Sequence, residues 1–449
     1  MKAMERMRWL VSRASPLPLL ALVACSSGSD PSDAAPWIEK LGADIGTTQI
    51  TTSPAGAIAL TGQASGQGRV GGRNIDAASG SRTFFAGLDP HGRARWLNVE
   101  QEAARAQGLA MAFDALGGCV TVGSFEGGVD FGLGNEIALA QDTFVVRRDA
   151  SGKATWVRHF SADDGGPEGT GSSLAAAVAA DEAGGVVFAG SFTGTIGFGG
   201  AGLETSGQGA FVAKLDAAGR HVWSRRLGGS SDDYIGHLAL DAGGAVFLSG
   251  VSGSSTGIDA LSQPDEPPGG SAFITKLGSE GSERWRVPIE SSQLPEIAAV
   301  LVDSAGDVTV AGTFRSDVRL GAFALSTSVE TRTPFVAKLS SQGSPVWLHD
   351  LDIGDGQAMG AAIDSSGRVY VGGSQTASGM GLTGFLRQLD DGGEVVKQWR
   401  FGNDDSFIFS VQPLGSDLLL GGHFVRKVDV GGEKLSTETD GLFLARFRP

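Results

Sequence analysis

The thirteen residues FVAKLDAAGRHVW, 211–223, return as FITKLGSEGSERW at 273–285 and as FVAKLSSQGSPVW at 335–347. Each copy starts with phenylalanine, contains a turn glycine and ends with tryptophan, which is the pattern of a β-hairpin. The copies begin 62 residues apart, and such a period indicates a repeat protein in which each unit is one supersecondary element. This repeat decides the fold that the sequence predicts.

A second hairpin precedes each copy. Two glycines six residues apart enclose a short β-prone run, and the pair occurs seven times: Gly56 and Gly62, Gly117 and Gly123, Gly184 and Gly190, Gly244 and Gly250, Gly306 and Gly312, Gly367 and Gly373, Gly415 and Gly421. The first glycine closes a D-x-x-G turn in five copies, and Ser53 and Gln412 replace the aspartate in the other two. Each repeat therefore predicts four strands.

Aromatic residues mark the second hairpin of every repeat. Its first strand carries a phenylalanine at positions 84, 144, 211, 273, 335, 385 and 443. Its second strand carries a tryptophan at 96, 156, 223, 285, 347 and 399. Four-stranded units that cannot bury both faces alone are typical of a β-propeller, in which blades stack around an axis. The aromatic positions are therefore predicted to form the core between blades.

The two ends of the chain fit a closed ring. The last repeat stops at GLFLARFRP, 441–449, after its third strand, and PWIEKLG, 36–42, supplies a tryptophan strand at the other end. Pairing these segments would complete the last blade and remove the open sheet edges. The sequence therefore predicts an all-β, seven-bladed β-propeller of four-stranded blades over residues 37–449, closed by the N-terminal strand.

The repeat also resembles a known family. VDSAGDVTVAGTF, 302–314, followed by FVAKLSSQGSPVW is similar to the bacterial propeller repeats of exported proteins that are called SBBP repeats. The resemblance covers about residues 37–449 and implies the fold, but it implies no shared activity, because a fold alone does not specify function.

Residues 1–24 have the basic and apolar regions of an export signal. The following Leu22-Val23-Ala24-Cys25 resembles the lipobox of bacterial lipoproteins, which implies cleavage before Cys25 and acylation of that cysteine. Residues 25–36 would then be a lipidated tether, and Ser26 and Ser27 favour the outer membrane of the cell envelope. An ordinary secretory signal remains the alternative.

The charge excludes one class of partner. The chain carries a net charge of −15, and removal of the signal, with its net +3, would leave −18. A surface this acidic excludes nucleic acid as the default partner. With Cys25 acylated, Cys119 is left without a disulfide partner, and we expect a monomer.

The candidate binding residues lie in predicted loops. Acidic residues follow the tryptophan strands, and a ring of them would hold calcium or attract a basic partner, or would serve only turns and solubility. The strongest candidates are Asp163, Asp164, Asp232, Asp233, Asp404 and Asp405. A protruding loop, QPDEPPGG at 263–270, adds Pro264, Asp265 and Glu266 as a contact.

Long segments between the second and third strands are predicted to gather on the same face as these loops, where a propeller would recognise a partner. Four of them share a pattern, as in SFEGGVDFG at 124–132 and HFVRKVDVG at 423–431. A shared pattern favours shared packing over a shared ligand.

No catalytic motif accompanies the repeats. The six histidines recur at no fixed repeat position, and no G-x-S-x-G or H-E-x-x-H sequence is present. We therefore expect a membrane-anchored binding or scaffold module whose partner is an unknown protein or glycan. The alternatives are a hydrolase or lyase with its active site in the central funnel, and an outer-membrane assembly factor.

Overall fold

The computed structural model describes residues 35–42, 45–77, 80–100, 105–163, 165, 171–227, 233–252, 271–377, 381–402 and 405–449. These residues form antiparallel β-sheets. In this part of the chain, no helix has the length and apolar character that crossing a membrane requires.

Seven sheets with four main strands each form the blades, and the short strand β12 adds a fifth strand to the sheet of blade 3. The described chain starts with β1 (Trp37–Lys40), which belongs to the last blade. Blade 1 contains β2 (Ile45–Thr52), β3 (Ile58–Ala64), the small pair β4 (Gln67–Val70) and β5 (Arg73–Asp76), β6 (Arg82–Leu88) and β7 (Ala94–Val99). Blade 2 contains β8 (Arg105–Phe113), β9 (Cys119–Asp130), β10 (Asn135–Arg148) and β11 (Ala154–Phe160). Blade 3 contains β12 (Ala162–Asp163), β13 (Ser173–Ala180), β14 (Val186–Ile196), β15 (Leu203–Leu215) and β16 (His221–Leu227).

The remaining blades repeat this order. Blade 4 contains β17 (Tyr234–Leu240), β18 (Val246–Ser252), β19 (Ser271–Leu277) and β20 (Glu283–Ile289). Blade 5 contains β21 (Glu296–Val302), β22 (Val308–Phe314), the small pair β23 (Asp317–Leu320) and β24 (Phe323–Ser326), β25 (Thr333–Leu339) and β26 (Pro345–Asp350). Blade 6 contains β27 (Gly356–Ile363), β28 (Val369–Ala377), β29 (Gly381–Leu389) and β30 (Val395–Phe401). Blade 7 contains β31 (Phe407–Leu414), β32 (Asp417–Val430), β33 (Glu433–Phe447) and β1.

The sheets close into a ring. The first strand of each blade contacts the first strand of the next, and β31 of blade 7 contacts β2 of blade 1. The closing strand β1 pairs with β33, with Trp37 opposite Arg446 and Lys40 opposite Phe443. The predicted seven-bladed propeller, closed by the N-terminal strand, is therefore confirmed.

A glycine and a phenylalanine shape the inner half of every blade. Each first strand has a one-residue bulge next to a glycine of the second strand, and that glycine pairs with a phenylalanine of the third strand. The pairs are Gly62 and Phe84, Gly123 and Phe144, Gly190 and Phe211, Gly250 and Phe273, Gly312 and Phe335, Gly373 and Phe385, Gly422 and Phe443. The glycine leaves room for the bulged strand and the aromatic ring, which explains the repeated spacing.

Blade 7 departs from the predicted glycine pair. Its first hairpin turns through only two residues between Leu414 and Asp417, and Gln412 lies within the paired strand. The glycine that pairs with phenylalanine is Gly422, not Gly421. The six-residue spacing from Gly415 therefore arises from a shorter turn and does not mark an equivalent position.

The tryptophans join neighbouring blades. Each ring lies against the turn glycine between the third and fourth strands of the next blade: Trp37 on Gly92, Trp96 on Gly152, Trp156 on Gly219, Trp223 on Gly281, Trp285 on Gly343 and Trp347 on Gly393. The Trp223 indole also donates to the carbonyl of Ser279 at 2.9 Å. Trp399 faces blade 7, where the chain ends leave no such turn, and its ring packs edge-on against Phe447 at 5.5 Å.

The contact of each tryptophan with the next blade predicts that two tryptophan substitutions differ in their effect on stability. Trp223→Phe removes a hydrogen bond across the blade boundary together with part of the ring, and we expect a loss of about 2 kcal/mol in the free energy of unfolding. Trp399→Phe removes no hydrogen bond to a described residue. Its decrease in the free energy of unfolding should therefore be roughly 1 kcal/mol smaller than that of Trp223→Phe. Urea unfolding of both variants measures the difference, and equal losses would show that the hydrogen bond contributes nothing.

Candidate functional site

The blades present two different ends. The short turns between first and second strands, and between third and fourth strands, lie at one end, which we call the turn end. The segments between second and third strands, and the connections from blade to blade, start from the opposite end, which we call the connection end. Any recognition surface made of the longer segments belongs to the connection end.

Five of the longer segments do not remain there. In blades 1, 2, 3, 5 and 7 the segment between second and third strands forms a hairpin that folds back along the blade to the turn end. The carbonyl of Gly71 accepts a bond from the Ala94 amide at 2.8 Å, and Gly132 lies beside Ala154. The prediction that these segments gather as a recognition face is wrong for these blades, because their apolar side chains, such as Val129 and Val428, are buried in the core between blades.

The shared pattern of these segments has a packing role, as predicted. In SFEGGVDFG, Phe125, Val129 and Phe131 are fully buried, and the rings of Phe125 and Phe131 meet edge to face at 5.9 Å. The five hairpins wedge between neighbouring blades at the outer side of the ring.

Three of the predicted acidic residues lie within the described residues. Asp163 is exposed, and its Oδ1 accepts from the Gly165 amide at 2.8 Å. Asp233 is buried, and its amide donates to the Gln208 carbonyl. Asp405 is half-buried and accepts from the Leu382 amide at 3.2 Å. These three belong to three different connections.

The other predicted residues lie outside the described residues: Cys25, Asp164, Asp232, Pro264, Asp265, Glu266 and Asp404. Within the described ranges, no group of three or more His, Cys, Asp or Glu side chains is placed to hold a metal ion. Calcium binding stays a prediction.

One acidic residue after a tryptophan strand has a structural partner. Glu100 is buried between blades 1 and 2, where its carboxylate accepts from the Arg148 guanidinium at 2.6 Å. Burial raises the pKa of Glu100 to about 7, although the Arg148 charge acts to lower it. Leucine or phenylalanine occupies the position of Arg148 in the other six blades: Leu88, Leu215, Leu277, Leu339, Leu389 and Phe447.

The Glu100 carboxyl predicts a pH dependence of stability. Its pKa is higher in the folded chain than in the unfolded chain, so the folded state binds more protons between about pH 4.5 and 7. The free energy of unfolding should therefore fall as the pH rises through this window, by on the order of 2 kcal/mol. Denaturant unfolding of the wild type and Glu100→Gln at several pH values measures this fall, which the variant should lack. If the free energy of unfolding fell equally with pH in the wild type and in Glu100→Gln, the fall would come from other groups.

The inner ring carries few groups for catalysis. The seven first strands, all within the described residues, contain four ionisable side chains: Arg105, Tyr234, His237 and Glu296. The His237 Nε2 is bonded to the carbonyl of Ile297 at 2.8 Å. These strands hold no convergent charged cluster, which is the feature that an active site in the central funnel requires.

Blade 2 brings a serine, a histidine and an aspartate together, but not as a catalytic triad. Nε2 of His159 lies 2.7 Å from the Asp142 carboxylate and 3.1 Å from the Ser161 hydroxyl. A triad needs the serine and the acid on opposite ring nitrogens, so that the histidine can pass a proton between them. Here Nδ1 instead faces Glu136 at 3.7 Å. The arrangement therefore ties strands β10 and β11 together.

A polar network occupies the connection end of blades 5 and 6. The Arg332 guanidinium donates to Oε1 of Gln357 at 2.9 Å, and Nε2 of Gln357 donates to Glu296 at 2.5 Å. The Arg332 amide donates to Asp355 at 3.0 Å, and the Thr376 hydroxyl donates to the same carboxylate at 2.8 Å. The network crosses the boundary between the two blades.

Three further arginines lie in the same two blades, and their charges act in two pairs, Arg315 with Arg332 and Arg387 with Arg400. Arg387 is 2% exposed. Its guanidinium lies over the Phe385 ring, and among the described residues it donates to two neutral oxygens, the Leu386 carbonyl at 3.4 Å and Gln375 Oε1 at 3.5 Å. The half-buried Arg315 donates to the Val329 carbonyl at 3.4 Å, and Arg400 is exposed. We call Arg315, Arg332, Arg387 and Arg400 the arginine cluster.

The surroundings of two of these arginines, Arg387 and Arg315, disfavour the positive charge. Burial, and then the Arg400 charge, lower the pKa of Arg387. Burial, and then the Arg332 charge, lower the pKa of Arg315. Neither Arg315 nor Arg387 has a carboxylate within ion-pair distance among the residues that the structure describes. A guanidinium has five donors, and the bonds to described residues involve one nitrogen of Arg315 and two of Arg387.

The arginine cluster was not predicted from the sequence, because the candidate binding residues were chosen among the acidic side chains. The signal that would have found it is a departure from the repeat, because Arg387 stands two residues after the recurrent phenylalanine. Small or medium side chains hold that position in the other blades: Ala86, Val146, Ala213, Thr275, Ala337 and Ala445.

Comparison with known proteins gives distant structural likeness. No family model and no curated protein matches the chain. A cobalt-substituted apocarotenoid oxygenase of Synechocystis has 10% sequence identity and a TM-score of 0.45, with 98% of this chain and 96% of that chain covered. A protein from Lactobacillus plantarum has 13% identity and a TM-score of 0.44, with 82% and 96% covered.

Proposed function

We propose that the protein is a lipid-anchored, extracytoplasmic β-propeller that binds a carboxylate-bearing partner, a protein or a glycan, at the arginine cluster. The seven-bladed propeller supports a binding or scaffold module in general. The observation that favours this site is the buried guanidinium of Arg387, whose hydrogen-bond partners among the described residues are neutral. The Asp352 charge acts to raise its pKa, but no described carboxylate lies within ion-pair distance. A buried charge that is not paired costs several kcal/mol, so it is an unusual choice for a purely structural position.

The cluster divides into a surface part and a buried part. Arg400 and Arg315 offer donors at or near the surface, and the guanidinium fork matches a carboxylate with two parallel hydrogen bonds. The buried charge of Arg387 adds to the positive potential beneath them. In a chain with a net charge of −15, this local potential would select where an acidic partner docks.

Capture from membrane extracts tests the binding site. Full-length protein and its Arg315→Ala/Arg400→Ala variant are used with and without calcium, and Arg220→Ala/Arg284→Ala serves as the matched control. Both control arginines are exposed ones in ion pairs at the turn end. We expect partner recovery about tenfold lower for the cluster variant, as two lost pairs of roughly 0.7 kcal/mol each would give. Equal loss in the control would refute the site.

Metabolic labelling with a fatty acid tests the anchor. Cys25 should carry the label in the wild type, and Cys25→Ala should lack it; equal labelling would refute the anchor. Two or more acyl chains give stable membrane attachment, whereas one gives marginal attachment. Membrane fractionation then tests the proposed outer-membrane location.

The enzyme alternative gains no support from the inner ring, where the first strands hold four ionisable side chains that do not converge. The assembly-factor alternative shares the anchor and the binding surface with our proposal. The identity of a captured partner distinguishes them.

A further inference from the structure

The outer surface of blade 2 carries a concentration of exposed aliphatic side chains. Leu116 is 78% exposed, Leu133 53%, Ile137 64% and Leu139 83%. These four residues, which we call the blade 2 stripe, include the three most exposed large apolar side chains among the described residues. Large exposed apolar patches on soluble proteins often mark sites of interaction with another protein or with a membrane.

Three of the four residues lie on the folded-back hairpin at the outer side of the blade, and Leu116 lies at the turn end of the same blade. Leu116 lies in the turn between β8 and β9, and Leu133 lies at the tip of the folded-back hairpin, whose neighbour Gly132 packs beside Ala154 at the start of β11. Ile137 and Leu139 follow on β10 and point outward, while Ala138 between them is buried.

The fold does not require apolar side chains here. Ile137 directly precedes the buried residue of the second hairpin strand. At the equivalent register position, opposite Gln67 and Lys427, the hairpins of blades 1 and 7 carry the polar Asp76 and Ser436. Ile137 itself lies opposite Gly128, so its side chain has no cross-strand neighbour to cover it.

The described chain starts at the turn end of blade 1, the neighbour of blade 2. The indole of Trp37 donates to the Pro90 carbonyl at 3.0 Å and lies against Gly92, both in a turn of blade 1 at the turn end. The twelve residues 25–36 can span at most about 40 Å. An anchor at Cys25 would therefore hold the turn end, and the outer surfaces of the blades next to Trp37, close to the membrane.

We propose that the blade 2 stripe docks on the lipid surface to which Cys25 is anchored; this inference rests on the anchor in the proposed function. Insertion of aliphatic side chains at the boundary of headgroups and acyl chains is the usual contact of proteins that lie on a membrane. Asp130 and Glu136 flank the stripe, so we expect zwitterionic rather than anionic lipids. A second copy is a poor occupant, because two chains of net charge −15 repel each other.

Docking by this surface has a consequence for the arginine cluster. The stripe begins at the turn end, and the cluster lies at the connection end of blades 5 and 6, on the far side of the ring from blade 2. Contact of the stripe with lipid therefore leaves the cluster open to a partner in the aqueous phase.

Fluorescence quenching on the acylated protein, which starts at Cys25, tests the docking. Leu139→Cys and, separately, Leu116→Cys are labelled with an environment-sensitive dye and reconstituted in phosphatidylcholine vesicles with brominated acyl chains. Val346→Cys is the control, because it is also an exposed aliphatic residue, 45% exposed, but lies on blade 5. Native cysteines do not interfere: Cys25 is acylated, and burial raises the pKa of the Cys119 thiol to about 12.

We expect the brominated lipid to remove most of the dye emission at residues 139 and 116 and to leave the emission at residue 346 unchanged. Quenching that is absent from both stripe positions, or equal at all three, overturns the docking. Mass analysis of Cys25 separates the two proposals. Acylation without quenching refutes the docking alone, whereas a cysteine without acyl chains refutes both.

Discussion

Asp417→Ala should destabilise the protein by about 3–5 kcal/mol, since the substitution leaves a fully buried arginine without its counter-ion. The Arg446 guanidinium donates to the Asp417 carboxylate at 2.6 Å, and the side chains are 0% and 1% exposed. Arg448 donates to the same carboxylate at 2.9 Å from the surface. The pair joins β32 to β33, the strand that holds β1, so its loss weakens the blade that closes the ring.

More exposed ion pairs in other blades provide a comparison for the loss of the buried Asp417–Arg446 pair. In blades 2, 3, 4 and 5 a basic residue of the third strand pairs with the aspartate of the first turn, as Lys214 does with Asp181 at 2.7 Å, but the basic side chains keep contact with water. Lys214→Ala should therefore cost roughly 1 kcal/mol. Urea unfolding compares the two variants. A loss below about 1 kcal/mol for Asp417→Ala would mean that Arg446 finds another partner or water.

The same carboxylate gives an acid-sensitive contribution. Burial acts to raise the pKa of Asp417, but the hydrogen bonds from Arg448 and Arg446 outweigh it and lower the pKa below its usual value near 3.8. Its stabilising contribution is therefore complete above about pH 4 and is lost as the pH falls through the folded-state pKa.

The fold can be predicted from the sequence because the residues that pack each blade recur seven times at similar spacing. The blades repeat the same contacts. A glycine lies beside the bulge of the first strand, a phenylalanine packs on that glycine, and a tryptophan packs on a turn of the next blade. Blade 7 shows the limit of such counting. A turn shorter than the others moves the equivalent glycine from Gly421 to Gly422, and spacing alone cannot show which of two adjacent glycines faces the bulge.

The candidate site could not be predicted in the same way. Acidic residues are common throughout the chain, so Asp163, Asp233 and Asp405 were indistinguishable from turn residues before their positions were known. The fold-back of the hairpins depends on Val129 and Val428 finding the groove between blades, which is a long-range contact. Arg387 differs, because its departure from the repeat is visible in the sequence, although the absence of an ion-pair partner among the described residues is not.

Gly373→Ala should have an effect as large as the loss of Asp417, about 3–5 kcal/mol, because the new methyl group has no space. A Cβ at this position would overlap the Gln357 carbonyl oxygen of the bulged strand and meet the Phe385 ring at 2.9 Å. The backbone of β27 would have to leave the bulge, or Phe385 would have to leave the core between blades 5 and 6.

Gly197→Ala is the matched control for this clash. A Cβ at Gly197 meets no atom within 4 Å, so this substitution should change the free energy of unfolding by less than about 0.5 kcal/mol. Urea unfolding followed by tryptophan fluorescence measures both variants. If Gly373→Ala were as stable as Gly197→Ala, the bulge would be tolerant of a side chain, and the seven glycine and phenylalanine pairs would need an explanation other than close packing.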